Sequence, residues 1–104
     1  MKKYVREDGN VAVLISPGYG AGWSTWSHSN SDICFDYEVV QWVLDDKPNA
    51  EEFIEKTSER LDVYAGGMGN LEVVWFAPGT RFRIEEYDGY ESIVFENDLN
   101  WMTA

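Results

Sequence analysis

Cations are what this sequence lacks most. Lys and Arg number 8 against 19 Asp and Glu, a formal net charge of −11. The deficit is uneven: positions 7 to 46 hold seven acidic groups and no Lys or Arg, and the six acids after Arg83 meet none either. Binding to a phosphate backbone needs clustered cations that displace counterions, so ordinary nucleic-acid binding is not expected. A single cysteine, Cys34, excludes an internal disulfide and fits a reducing compartment. The only histidine, His28, has no second His or Cys cluster to complete a zinc site. No apolar run reaches the roughly 18 residues a membrane-spanning helix needs. The opening MKKYVREDGN has lysines but no apolar stretch behind them, so it does not read as a signal peptide and a cytoplasmic location is expected.

What is present belongs to a folded chain. Hydrophobic residues make up 44% and aromatics 15%, far above the content of a disordered acidic segment. At 104 residues the chain is expected to be one domain, 1–104, since two halves would each struggle to bury a core. The excess of acid is read either as serving solubility or as a surface that docks on a basic partner in the manner of a nucleic acid.

YVREDGNVAVLIS reads as two strand segments about a turn at Asp8–Gly9, or alternatively at Gly9–Asn10. The second, from Val11 to Ser16, is apolar on both alternating sets, as in a strand covered on both faces. Pro17 ends it. Asp36 is placed to cap a helix running to about Lys47, with Val39, Val40 and Val43 on one stripe, and Pro48 stops it. NAEEFIEKTSERLD reads as a second helix. Asn49 and Glu52 have capping-box spacing, Phe53, Ile54, Thr57 and Leu61 share a face, and Glu52–Lys56 is a favourable i,i+4 pair.

LEVVWF, RFRIEEY and YESIVFE read as three strands, separated by APGT and DG. A two-residue turn at Asp88–Gly89 sets Tyr87 opposite Tyr90, Ile84 opposite Ile93 and Phe82 opposite Phe95. A turn centred on Pro78–Gly79 then sets Trp75 opposite Phe82 and Val73 opposite Ile84. The expected result is one meander with Val73, Trp75, Phe82, Ile84, Ile93 and Phe95 on its buried face. The fold class is α+β: an antiparallel sheet of about five strands, with two helices packed on one face.

Two features point to sites. The register places Glu86 opposite Glu91 with the parity of the core face, where opposed like charges destabilise a sheet. Such a pair is an acid/base or cation site, or else two carboxylates at a hairpin tip that are solvated or each find a donor. The other feature is PGYGAGWSTWSHS, residues 17–29. It follows a strand but lacks the spacing of dinucleotide and phosphate loops, and no lysine follows it. Its permissive backbone stands beside Tyr19, Trp23 and Trp26, with hydroxyls nearby, so it can stack a planar ligand or anchor a protein interface, with a ring of Trp23 or Trp26 held accessible. The structural alternative is that the tryptophans cap the core. Cys34 lies between Ile33 and Phe35 and reads as buried and inert. No catalytic residue, metal site or cofactor is expected.

VAVLISPGYGAGWSTW, APGTRFRIEEYDGYESI and the terminal WMTA resemble a group of small, acidic, functionally uncharacterised proteins encoded by tailed bacteriophages. The likeness covers most of the chain. It implies an accessory protein in a bacterial host's cytoplasm, of a kind that binds host or defence components or sequesters signalling nucleotides. The expected function is therefore non-enzymatic binding to a host or defence protein with a basic surface, through an acidic and aromatic surface including Tyr19, Trp23, Trp26, Glu86 and Glu91. The alternative is binding of a small, planar, nucleotide-like ligand, and a third reading is a small acid/base enzyme. Neither membrane nor direct nucleic-acid contact is expected, and the oligomeric state is open.

Overall fold

The structure, a computed structural model, describes residues 3–18, 22–26, 31–62 and 66–95. Four strands and two α-helices make up its regular part: β1 (Val11–Ile15), α1 (Tyr37–Leu44), α2 (Ala50–Leu61), β2 (Glu72–Phe76), β3 (Phe82–Tyr87) and β4 (Tyr90–Phe95). Short 3-10 turns cover Ser24–Trp26, Ser31–Phe35 and Met68–Asn70. The α+β class holds. The single sheet of about five strands does not: β1 pairs with β2 and β3 with β4, both antiparallel, in two separate sheets.

The hairpin register follows the sequence. Phe82 pairs with Phe95, Ile84 with Ile93, Glu86 with Glu91 and Tyr87 with Tyr90. Asp88 and Gly89 both take positive φ, 51° and 84°, as the favoured two-residue turn requires. Pro78–Gly79 is also a turn, closed by Thr80 N–H donating to Ala77 O at 3.1 Å. The strands on either side of it do not pair, and this breaks the expected meander. The first turn keeps only one bridge, Val5 to Val11, with Gly9 at φ 89°.

The reason lies in β2, which is apolar on both sides. Val73 and Trp75 join Ala12 and Leu14 of β1 beneath the helices, in a core with Val39, Val40, Trp42, Met68 and Leu71. Val74 and Phe76 point the other way with Val13 and meet Cys34, Phe35, Phe82, Ile84 and Ile93. The β3–β4 hairpin therefore folds across the far face of the β1–β2 sheet instead of extending it. Val73 and Trp75 are consequently not on the face of Phe82 and Ile84, correcting the one-face grouping. Covering both faces of β1 is what its two apolar sets require, and Ala12, Val13 and Leu14 are all buried.

Asp36 caps α1, its carboxylate accepting from Val39 N–H at 3.1 Å. It also accepts two hydrogen bonds from Arg60 in the last turn of α2, at 3.1 and 2.9 Å, and so fastens one helix to the start of the other. Helix α1 stops at Leu44, before the expected Lys47, because Asp46 and Lys47 are left-handed at φ 67° and 55°. Asn49 is left-handed too, at φ 50°, and its side chain makes no cap. The capping box fails because a capping side chain reaches the first-turn amides from extended backbone. The Glu52–Lys56 pair forms at 2.7 Å, and Phe53, Ile54 and Leu61 pack on the core with Thr57 buried.

Phe76 lies 4.8 Å from the Phe82 ring and 5.4 Å from that of Phe95, yet Phe95 keeps 40% of its surface exposed. Phe76→Ala is therefore expected to lose about 3–5 kcal/mol in urea unfolding. Phe95→Ala should lose well under half of that, and equal losses would mean the outer face of the hairpin is covered.

Candidate functional site

Glu91 is the second residue of β4, on the alternating set that carries Ile93 toward the apolar layer. Its side chain is completely buried. A carboxylate taken out of water is costly unless donors surround it, and here four do. Oε1 accepts from Ser16 N–H at 2.8 Å. Oε2 accepts from Trp23 N–H at 2.7 Å, Thr25 N–H at 3.1 Å and the Thr25 hydroxyl at 2.5 Å. The main chain closes the circle, with Glu91 N–H donating to Ser16 O at 2.8 Å. Glu91 therefore ties the end of β1 and the 22–25 segment to the start of the hairpin.

Its partner in register has a different fate. Glu86 is exposed, and its Oε2 accepts only from Gly89 N–H in the adjoining turn, at 3.4 Å. Opposition across the hairpin is real, but one carboxylate is satisfied inside and the other faces solvent. That division removes the repulsion and leaves no shared proton site.

The Gly/Trp segment is held from other sides as well. Trp23 is 1% exposed and packs in the main core beside Leu14, Ile33 and Met68. Its indole Nε1 has no hydrogen-bond partner, the one such buried side-chain atom among the described residues. Gly67 approaches the backbone of Gly22 so closely that a Cβ there would collide with the Gly22 carbonyl, while Ser16 Oγ donates to Gly67 O at 3.2 Å. Trp23 is therefore a core residue and presents no ring to a ligand, which corrects its place among the binding aromatics. Tyr19 and the side chain of Trp26 lie outside the described residues.

Two of the concavities among the described residues bear on function. One, of about 620 Å³, lies between the 3-10 turns and β3 and is lined by Thr25, Asp32, Cys34, Phe35, Arg83 and Glu86 among others. Its thiol is inert: burial, chiefly, and then the Asp32 and Glu91 charges push Cys34 up to about 12. The other, of about 500 Å³, runs between α1 and α2. Its floor is the Trp42–Phe53 stack, with centroids 4.6 Å apart and planes 12° apart, and its rim carries Glu38, Asp45 and Glu52. Sequence reasoning placed Phe53 on the apolar face of the second helix, gave Trp42 no role and missed the groove. The signal available was the acid at 38, 45 and 52 beside the helical stripe. Among the described residues no three His, Cys, Asp or Glu side chains converge to hold a metal ion, and no helix is long and apolar enough to cross a membrane.

Compared with known protein families, curated proteins and solved structures, the chain matches none.

Replacing Glu91 by Ala would leave three backbone N–H groups without their acceptor. The expected loss is about 3–5 kcal/mol in urea unfolding, with faster hydrogen exchange at the Trp23 and Thr25 amides. Glu91→Gln keeps the size but turns an NH₂ toward N–H donors, and should also destabilise. Glu86→Ala should stay within about 0.5 kcal/mol. Equal effects at 86 and 91 would deny Glu91 its tying role.

Cys34 offers a second check. A thiol that keeps its proton to about 12 when folded should resist alkylation at pH 8 and react readily once urea unfolds the chain. The sign for stability follows: the contribution is complete below the ordinary thiol value of 9.0 and is lost as pH rises toward 12. Rapid native-state alkylation would contradict the burial.

Proposed function

We propose that this chain is a non-catalytic binding protein whose acidic surface recognises a basic protein partner. The observation that carries the reading is that, among the described residues, four of the chain's eight cations are held on its own carboxylates. Arg6 meets Asp8 at 2.7 Å, Lys56 meets Glu52 at 2.7 Å, Arg60 meets Asp36 at 2.9 Å and Arg83 meets Glu85 at 2.7 Å. The acids left over, exposed on both helices and both sheets, carry the −11. A field of one sign steers an oppositely charged protein toward the surface and repels like-charged ones.

Chemistry finds less support. The one thiol is held protonated, the Glu91 carboxylate is fully engaged with the fold, and exposed Glu86 accepts from Gly89 N–H of its own turn. The planar-ligand alternative loses its best-placed ring, since Trp23 is buried. The likeness to small acidic proteins of tailed phages favours a host or defence protein as the partner, met in a bacterial cytoplasm. Tyr19, Trp26 and Glu86 remain the aromatic and acidic groups proposed for contact outside the helices.

The experiment is purification from bacterial lysate, native mass spectrometry of what accompanies the chain, and kinetics of the re-formed complex. A basic protein is expected, with an association rate that falls steeply as salt is raised about tenfold and a dissociation rate that changes little. A partner that associates equally fast at both salt concentrations would return the charge to a solubility role. A bound small molecule in place of a protein would favour the planar-ligand alternative.

A further inference from the structure

We infer that the groove between α1 and α2 is the docking site, and that its occupant is a short arginine- or lysine-bearing segment of a protein partner. The inference rests on the reading of the chain as a binder of basic proteins, and adds to it a place and a chemistry.

The groove is built, not incidental. Trp42 forms its floor and is fixed at both ends, stacked on Phe53 and donating its indole N–H to Pro48 O at 2.9 Å. The connection from α1 to α2, residues 45–49, puts three non-glycine residues in left-handed backbone: Asp46, Lys47 and Asn49. Such backbone is unfavourable for a side chain like that of Lys47, and persists only where its surroundings enforce it. Here they do. Lys47 N–H donates to Trp42 O at 2.9 Å, and Lys47 Nζ reaches across to Gly69 O at 2.8 Å. Strain of this kind gathers at ligand clamps, and this strained connection forms one end of the groove.

The polar groups around the floor select a cation. Asp45 sits at the C-terminal end of α1, and its carboxylate makes no ion pair or hydrogen bond among the described residues. The negative end of the helix dipole adds to its pull on a positive charge. Glu38 stands at the other end of α1, sharing Arg60 at 3.3 Å with the better-placed Asp36. Half-buried Phe53 and Tyr37 give apolar surface for the methylene stem of a long cationic side chain, whose head then meets carboxylate. An anionic or purely apolar segment would face the same acids unpaired. Lys56 is the one cation on the lining, held on Glu52 at 2.7 Å, and an arriving positive group has to compete with it.

The test uses the full chain, labelled with ¹⁵N, and three synthetic capped peptides: arginine–leucine–arginine, its citrulline counterpart and glutamate–leucine–glutamate. At low salt the arginine peptide should shift the Trp42 indole N–H and the amides of Gln41, Asp45 and Asn49. The two control peptides should not. Asp45→Asn should weaken the arginine peptide about threefold to fivefold. Lys56→Gln, by releasing Glu52, should tighten it about twofold. Neither exposed substitution should move the thermal midpoint, so a loss of fold cannot imitate the result. Shifts that appear only on another acidic face, around Asp8 or Glu85 for instance, would overturn the groove assignment and leave the acidic-surface reading standing. Shifts nowhere with the arginine peptide, or equal shifts with the glutamate peptide, would overturn both.

Discussion

One buried carboxylate holds the two halves of this molecule together. The β1–β2 sheet and the β3–β4 hairpin share no strand pairing among the described residues, and apolar contact between them is not directional. Glu91 supplies the direction. Its carboxylate collects N–H groups from Ser16, Trp23 and Thr25, and its own N–H returns to Ser16 O. The dependence is mutual. A glutamate at a core position is intolerable without donors, and a loop that buries its amides is intolerable without an acceptor. Each solves the other's problem only when the hairpin lies across the sheet in one orientation.

From that constraint the layering follows. With the hairpin on one face of β1–β2, Val13, Val74 and Phe76 are covered, and the opposite set is free to take the helices. The helices are then locked to each other by Asp36, which caps α1 and receives the guanidinium of Arg60 from α2. The same close pairing, bent through a left-handed connection, opens the aromatic-floored groove on the outer side. Core formation and groove formation are thus one packing event, with Trp42 serving both.

The charge has a similar double character. Salt bridges within the chain use up cations at sites of local convenience, such as Glu52–Lys56 one helical turn apart. Each exposed pair adds little to stability. Their larger consequence is that four of the eight cations already lie against acids of the chain, and the −11 excess leaves a field of the sign that attracts positive groups.

Much was legible in the sequence wherever the determining interactions are local. The Asp88–Gly89 turn fixed the β3–β4 register to the residue, because two positive-φ positions leave one way to pair the flanking strands. Asp36 announced the start of α1, and the two apolar sets of β1 announced that both its faces would be covered. The parity of Glu91 was visible too, as an acid with the alternation of a core residue. What it was for was not visible, because its partners lie 66 to 75 positions away and, the Thr25 hydroxyl apart, are backbone amides, which every residue but proline possesses and no sequence marks. The same limit applied to β2. With Val73 and Trp75 on one side and Val74 and Phe76 on the other, its sequence fits a meander and a crossed layer equally well. Sequence alone determined the two helices, four of the strands, the β3–β4 hairpin and the acidic character. Only tertiary structure decided which face of β2 meets the hairpin, that Trp23 is buried, and that a groove opens between the helices, because each depends on long-range packing that local pattern does not encode.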